Sequence, residues 1–289
     1  MLKNYLKYIH QNLNFRVKRN KKVIDIGSGH SPLIRADILC DFLPLKTSQR
    51  PVAGIYTPPN RFVVGNIQEL PFRTKAFDFA YSRAVLEHIA DPVKACQEIS
   101  RIAKGGMLIL PSYLWEIMGG SEAHLWLIKR KKDKLIFQRK ILKHVELSSN
   151  IPANIRNSKY YEKLFNAFYG QFYINFYWEN HIKVEILDNA KNAYFFEEEE
   201  QKIVPEKFRN KFAAPKSISR KSKIFFYETL RKLLGGRNID IFSVIACPSC
   251  KQNFSGIKNN ILICGKCNIG FPIVENVPFL IEECVVKIS

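Results

Sequence analysis

Over its first 112 residues the chain sets down short, nearly unbroken apolar runs, separated by turns and by stretches with helical spacing. The runs are Lys22 to Gly27, Ala36 to Phe42, Arg61 to Asn66, Phe77 to Ser82 and Met107 to Leu110. Runs that do not alternate with polar residues predict parallel strands covered on both faces. Ala84 to Ile89 predicts a short helix. Asp91 reads as an N-cap with Pro92 in the first helical position, opening a helix that runs to about Lys104 and is closed by Gly105 and Gly106. Strands alternating with helices predict an open α/β sheet, which binds its ligand at the carboxyl ends of its strands. Only a few residues separate Gly29 from Ala36, so the first crossover has to be little more than a turn.

Outside this region the pattern is sparser. Residues 2 to 18 predict an amphipathic helix on the sheet edge. Residues 43 to 60, with four prolines, predict a loop. Lys134 to Lys140 reads as a strand, 158 to 170 as an aromatic-rich helix, and 171 to 187 as a hairpin. Glu197 to Glu200 reads as a solvated face. The expected organisation is a first domain over 1–200, a basic linker with one or two helices over 201–240, stopped at Gly235 and Gly236, and a small module over 241–289.

Composition narrows the function classes. With 289 residues, 46% of them hydrophobic, the chain can bury a large core and is not a disordered one. It has no run of eighteen apolar residues, and its first fifteen residues are broken by Lys, Asn and Gln. The expectation is therefore no transmembrane segment, no signal peptide and a cytoplasmic protein. The formal charge of +19 would attract RNA or an anionic membrane, or it is a surface solvated with lysine. Both readings stay open, and nucleic acid is possible as a partner without being required.

Four of the seven cysteines, Cys247, Cys250, Cys264 and Cys267, form two C-x-x-C pairs separated by thirteen residues. That spacing suits four thiolates around a structural zinc ion. Cys40, Cys96 and Cys284 stand alone and read as small buried hydrophobes.

The motifs DIGSGHSP at 25–32, the acid Asp41, GNIQELPF at 65–72, FDFAYSRAVLEHIADP at 77–92 and EISRIAKGG at 98–106 resemble, in order, those of class I S-adenosylmethionine-dependent methyltransferases. The resemblance implies a Rossmann-like sheet and S-adenosylmethionine as cofactor. It implies that Asp25, Gly27, Ser28 and Gly29 hold the methionine end, Asp41 the ribose hydroxyls, and Asn66 with the Ile67 backbone the adenine. Ser82 would face the methyl group. Ser31 stands at the family's third glycine position and Asn66 at a position usually held by Asp; Asn keeps an acceptor but loses the charge. The stretch from about 240 to 284, ending FPIVENVPFL, resembles the Trm112-like zinc ribbons, whose free-standing members activate methyltransferases. That implies a ribbon docking in cis on its own catalytic domain.

A sulfonium is already an activated methyl donor, so the protein has chiefly to align the acceptor and exclude water. A hydroxyl acceptor also needs a base, and His88, Glu116 and His124 are the candidates, with Trp126 as an apolar wall. The Asn/Asp-Pro-Pro-Tyr/Phe run that accompanies amide or adenine methylation is replaced by YSRA, so the expected acceptor is a hydroxyl of a small molecule or glycan. Two alternatives remain: an RNA or translation-factor methyltransferase, and a non-catalytic cofactor-binding scaffold or activator.

Overall fold

The computed structural model describes residues 17–42, 58, 60–141, 143–144, 155, 158–187, 205 and 218–288. The predicted helix over 2–18, most of the loop at 43–60 and the acidic run at 197–200 lie outside or almost wholly outside the described residues. Five parallel strands form the centre: β1 (Val23–Ile26), β2 (Ile38–Asp41), β3 (Phe62–Gly65), β4 (Phe79–Arg83) and β5 (Gly105–Pro111), in the order β3-β2-β1-β4-β5. β1, β2 and β3 are buried at every position, as nearly unbroken apolar runs predict. Residues 27–37 hold only turns and bends, so the first crossover is indeed reduced.

Helix α1 (Pro92–Ile102) follows β4. The Asp91 side chain accepts a hydrogen bond from the Lys94 N–H, and Ala95, Cys96, Ile99 and Ile102 form the buried stripe. Gly105 and Gly106 do not close this helix. They begin β5, where a Cβ on Gly106 would lie 2.1 Å from the Ala80 carbonyl oxygen and one on Gly105 2.9 Å from that of Trp178. Close packing between strands, rather than a helix stop, selects glycine there.

After β5 come helix α2 (Tyr113–Gly119), strands β6 (Trp126–Lys131) and β7 (Lys134–Arg139), helices α3 (Lys159–Ala167) and α4 (Tyr169–Phe172), and strands β8 (Tyr173–Glu179) and β9 (Lys183–Leu187). The hairpin expected over 171–187 is not formed. β8 runs antiparallel along β5 in the large sheet, whereas β9 pairs with β7 in a separate three-stranded sheet, β6-β7-β9. In β8, Phe176 and Trp178 are buried while Tyr177 faces out.

Helix α5 (Ile218–Leu233) packs its last turns against the amino ends of the strands. There Arg61 and Arg231 both bond Glu228, and the Arg237 N–H donates to buried Asp37 at 2.6 Å. Gly235, at φ +89°, takes the chain out of the helix. Strands β10 (Gly256–Lys258), β11 (Ile261–Cys264), β12 (Ile269–Val274), β13 (Val277–Leu280) and β14 (Val286–Lys287) then form the C-terminal module.

This module continues the large sheet. β13 lies parallel to β3, with Phe279 opposite Val64 and Leu280 opposite Gly65, and gives the order β10-β11-β12-β13-β3-β2-β1-β4-β5-β8, with β14 on β12. An otherwise open parallel edge is thereby paired. The Ala246 N–H donates to the Pro71 carbonyl, the Arg73 N–H to that of Val244, and Lys251 pairs with Glu98 at 2.8 Å. Leu280 joins the apolar cluster on one side of the sheet and Phe279 the cluster on the other.

Candidate active site

At the carboxyl end of β1 the chain turns through Gly27 (φ +71°) and Gly29 (φ +52°). The N–H groups of Gly27 and Ser28 donate to the Cys40 carbonyl on β2 at 2.8 and 3.2 Å, and the Gly29 N–H donates to the Asp41 carboxylate at 2.9 Å. Asp41 thus points at the bend. A Cβ on Gly27 would meet the Val85 side chain at 2.2 Å, so only glycine lets the loop after β4 cross there. A Cβ on Gly29 would meet the Gly27 carbonyl oxygen at an ordinary 3.9 Å. The buried Ser28 hydroxyl meets no hydrogen-bond partner among the described residues, so one polar atom of this cradle is left for a ligand.

Asp25 is 2% exposed and accepts the Leu33 N–H at 2.7 Å. Burial pushes its carboxyl up to about 7; the Leu33 hydrogen bond opposes that rise, the charge of Asp41 adds to it, and Arg83 opposes it. A cation docked between the two acids would relieve that penalty. Asn66, one residue past β3, accepts the Gln68 N–H at 2.9 Å and caps a 3₁₀ turn over Ile67–Glu69. Its carbonyl keeps a second lone pair. Ser82 is buried on β4 opposite Ile26 of β1. Asp25, Gly27, Ser28, Gly29, Asp41, Asn66, Ile67 and Ser82 therefore all lie on the carboxyl-terminal halves of β1 to β4 or just beyond them.

His88, Glu116 and His124 come from three elements and meet. His88 ends a 3₁₀ turn (Leu86–His88) after β4, Glu116 lies on α2, and His124 precedes β6. The two imidazoles stand edge to face with centroids 4.5 Å apart, and His124 Nδ1 lies 2.5 Å from Glu116 Oε1. Fully buried Lys140 bonds the other Glu116 oxygen at 3.0 Å, and Trp115 stacks on His124. Trp126, expected as a pocket wall, is instead buried in β6 with its Nε1 donating to the Ile89 carbonyl. Glu87 was not among the sequence candidates, yet it is fully buried beside the histidines. A charged residue in the apolar setting of Val85 to Ile89 was the available signal.

The sulfur atoms of Cys247, Cys250, Cys264 and Cys267 all lie within 4.8 Å of one another, with 3.5 Å between Cys250 and Cys264. Metal–sulfur bonds of about 2.3 Å in a tetrahedron put sulfurs roughly 3.8 Å apart, so these thiols suit one tetrahedral ion. A groove of about 810 Å³ lies elsewhere, between α1 and the C-terminal module, lined by Gln68, Lys94, Glu98, Lys251, Phe271 and Glu282. It holds none of the strand-end residues.

Residues 25–110 match the methyltransferase domain family. A 50-residue stretch is 34% identical to a UPF0434 protein of Francisella tularensis subsp. mediasiatica (strain FSC147) and covers 81% of that protein and 17% of this chain, so the chain belongs, through that stretch, to the UPF0434 proteins. Among solved structures, a methyltransferase of Thermotoga maritima is 21% identical, with 37% of this chain and 50% of that one covered and a TM-score of 0.27. This chain thus spans half the length of that protein. A complex of the Haloferax volcanii Trm112 methyltransferase activator with a methyltransferase is 16% identical, covering 60% and 87%, with a TM-score of 0.36. A Listeria monocytogenes methyltransferase is 9% identical, covering 60% and 96%, with a TM-score of 0.35. No helix among the described residues is long and apolar enough to cross a membrane.

Proposed function

We propose that this methyltransferase domain moves the methyl group of S-adenosylmethionine to a hydroxyl of a small molecule or glycan. The observation that supports this best is the glycine bend with Asp41 aimed into it and the Ser28 hydroxyl left unpartnered. Asp25 with Gly27, Ser28 and Gly29 would hold the methionine end, its carboxylate facing the cationic part. Asp41 would take the ribose hydroxyls, and Asn66 with the Ile67 N–H the adenine edge. The bound sulfonium supplies an activated methyl group; the chain's own part is to line up the acceptor past Ser82 and keep water out.

A hydroxyl has to lose its proton as the methyl is taken, and the His88, Glu116 and His124 cluster off the end of β4 is where this chain gathers proton-handling groups. The C-terminal module would bind zinc through Cys247, Cys250, Cys264 and Cys267, and would stabilise the catalytic domain in cis through β13. The test is transfer of labelled methyl from S-adenosylmethionine in a cell extract. Label in an alkali-stable methyl ether of the small-molecule or glycan fraction is expected. Label in RNA or protein would replace the acceptor class, and absence of label with intact cofactor binding would favour a scaffold.

A further inference from the structure

Glu87 is fully buried, and neither of its carboxylate oxygens has a hydrogen-bond partner among the described residues. A carboxyl in that position either keeps its proton or meets a counter-charge or a ligand. One Glu87 oxygen and one ring nitrogen each from His88 and His124 lie within 4.8 Å of one another. The backbone fixes this grouping, since the Leu125 N–H donates to the Glu87 carbonyl at 2.7 Å and ties the turn after β4 to the residue following His124.

The tautomers follow from the partners. His88 Nδ1 lies 3.0 Å from the Ala123 carbonyl, which can only accept, so Nδ1 holds the proton and the lone pair is on Nε2. His124 Nδ1 lies 2.5 Å from Glu116 Oε1, and buried Lys140 bonds the other Glu116 oxygen, so the Glu116 carboxylate is placed to accept from the His124 Nδ1–H. Imidazoles steered from behind by a carbonyl and a carboxylate are the pattern that surrounds metal-bound histidines.

We propose that Glu87, His88 and His124 bind one divalent first-row transition-metal ion, separate from the ion of the four cysteines, with Glu116 and the Ala123 carbonyl orienting the two imidazoles. Two neutral imidazoles and one carboxylate suit such an ion and leave a coordination position open. A hydroxyl placed there would ionise more readily. That use rests on the methyl-transfer reading; cation binding does not.

The experiment uses the full chain with its cysteine site loaded with Zn²⁺ and excess metal removed, then titrated with Co²⁺. Uptake of about one further ion per chain is expected, with weak visible d–d bands and no new near-ultraviolet thiolate band. Glu87→Gln and His124→Asn should each weaken that uptake by about tenfold or more, and Glu116→Gln by about 10–100-fold while leaving binding measurable. No further ion, a thiolate band, or wild-type affinity in Glu87→Gln would overturn the proposal; the wild-type stoichiometry decides even if the variants misfold. Calorimetry with S-adenosylmethionine alone separates the readings: cofactor bound without Co²⁺ uptake sinks only the cation site, and the reverse sinks only the methyltransferase assignment.

Discussion

Truncating Phe279 to alanine tests whether the C-terminal module is an independent appendage or part of the core of the parallel sheet. Phe279 is fully buried on β13 and packs in the cluster that includes Val23, Leu39, Phe62 and Val64 of the parallel strands. Removing a buried phenylalanine side chain costs about 3–5 kcal/mol, in lost transfer energy plus the cavity left behind. For a domain of a few hundred residues each kcal/mol lowers Tm by roughly 2–4 °C, so a fall on the order of 10 °C is expected. Because the lost contacts fall on β1, β2 and β3, differential scanning calorimetry should show a single transition moving down as a unit. Two transitions, with the larger at its wild-type temperature and only a small one displaced, would refute the continuity of sheet and module.

Two further outcomes concern charge and metal. Asp25 holds its proton up to about 7 in the folded chain, against an ordinary value of 3.8. The folded state therefore keeps a proton that the unfolded state has lost. Its stabilising contribution is complete below about 4 and is lost as pH rises to about 7, by a few kcal/mol at roughly 1.4 per unit. Urea titrations of cofactor-free protein should show this slope and Asp25→Asn should flatten it; an unchanged slope would reject the assignment. Removing metal with a strong chelator should loosen β11 and β12 and, through β13, lower the stability of the whole chain. Release of metal with Tm unmoved would contradict that coupling.

The parallel centre of the sheet was legible because burial on both faces writes itself locally, as in the nearly unbroken apolar runs at 23–26, 38–41 and 62–65. The Asp91–Pro92 helix start was legible for an equally local reason. Pairing partners were not. The segments at 173–179 and 183–187 look like hairpin arms, yet each finds its partner far away in sequence, in different sheets. Gly105 and Gly106 follow a helix and read as its stop, but the demand on them comes from Ala80 and Trp178. β6 was passed over because its second half, Lys129 to Lys131, is exposed and basic. Val277 to Leu280 was visible as part of the ribbon's ending, while its insertion beside β3 depends on residues more than two hundred positions away. At the site, His88, Glu116 and His124 were separable by residue type, and their meeting depends on the fold.

The most direct measurement is calorimetric titration of the full chain with S-adenosylmethionine, alongside Asp41→Asn. The substitution keeps an acceptor for the Gly29 N–H but removes the charge offered to the ribose hydroxyls. One cofactor per chain should bind the wild type, and the variant should bind about tenfold or more weakly with its Tm little changed. No binding by the wild type, or equal affinity in the variant, would contradict the account.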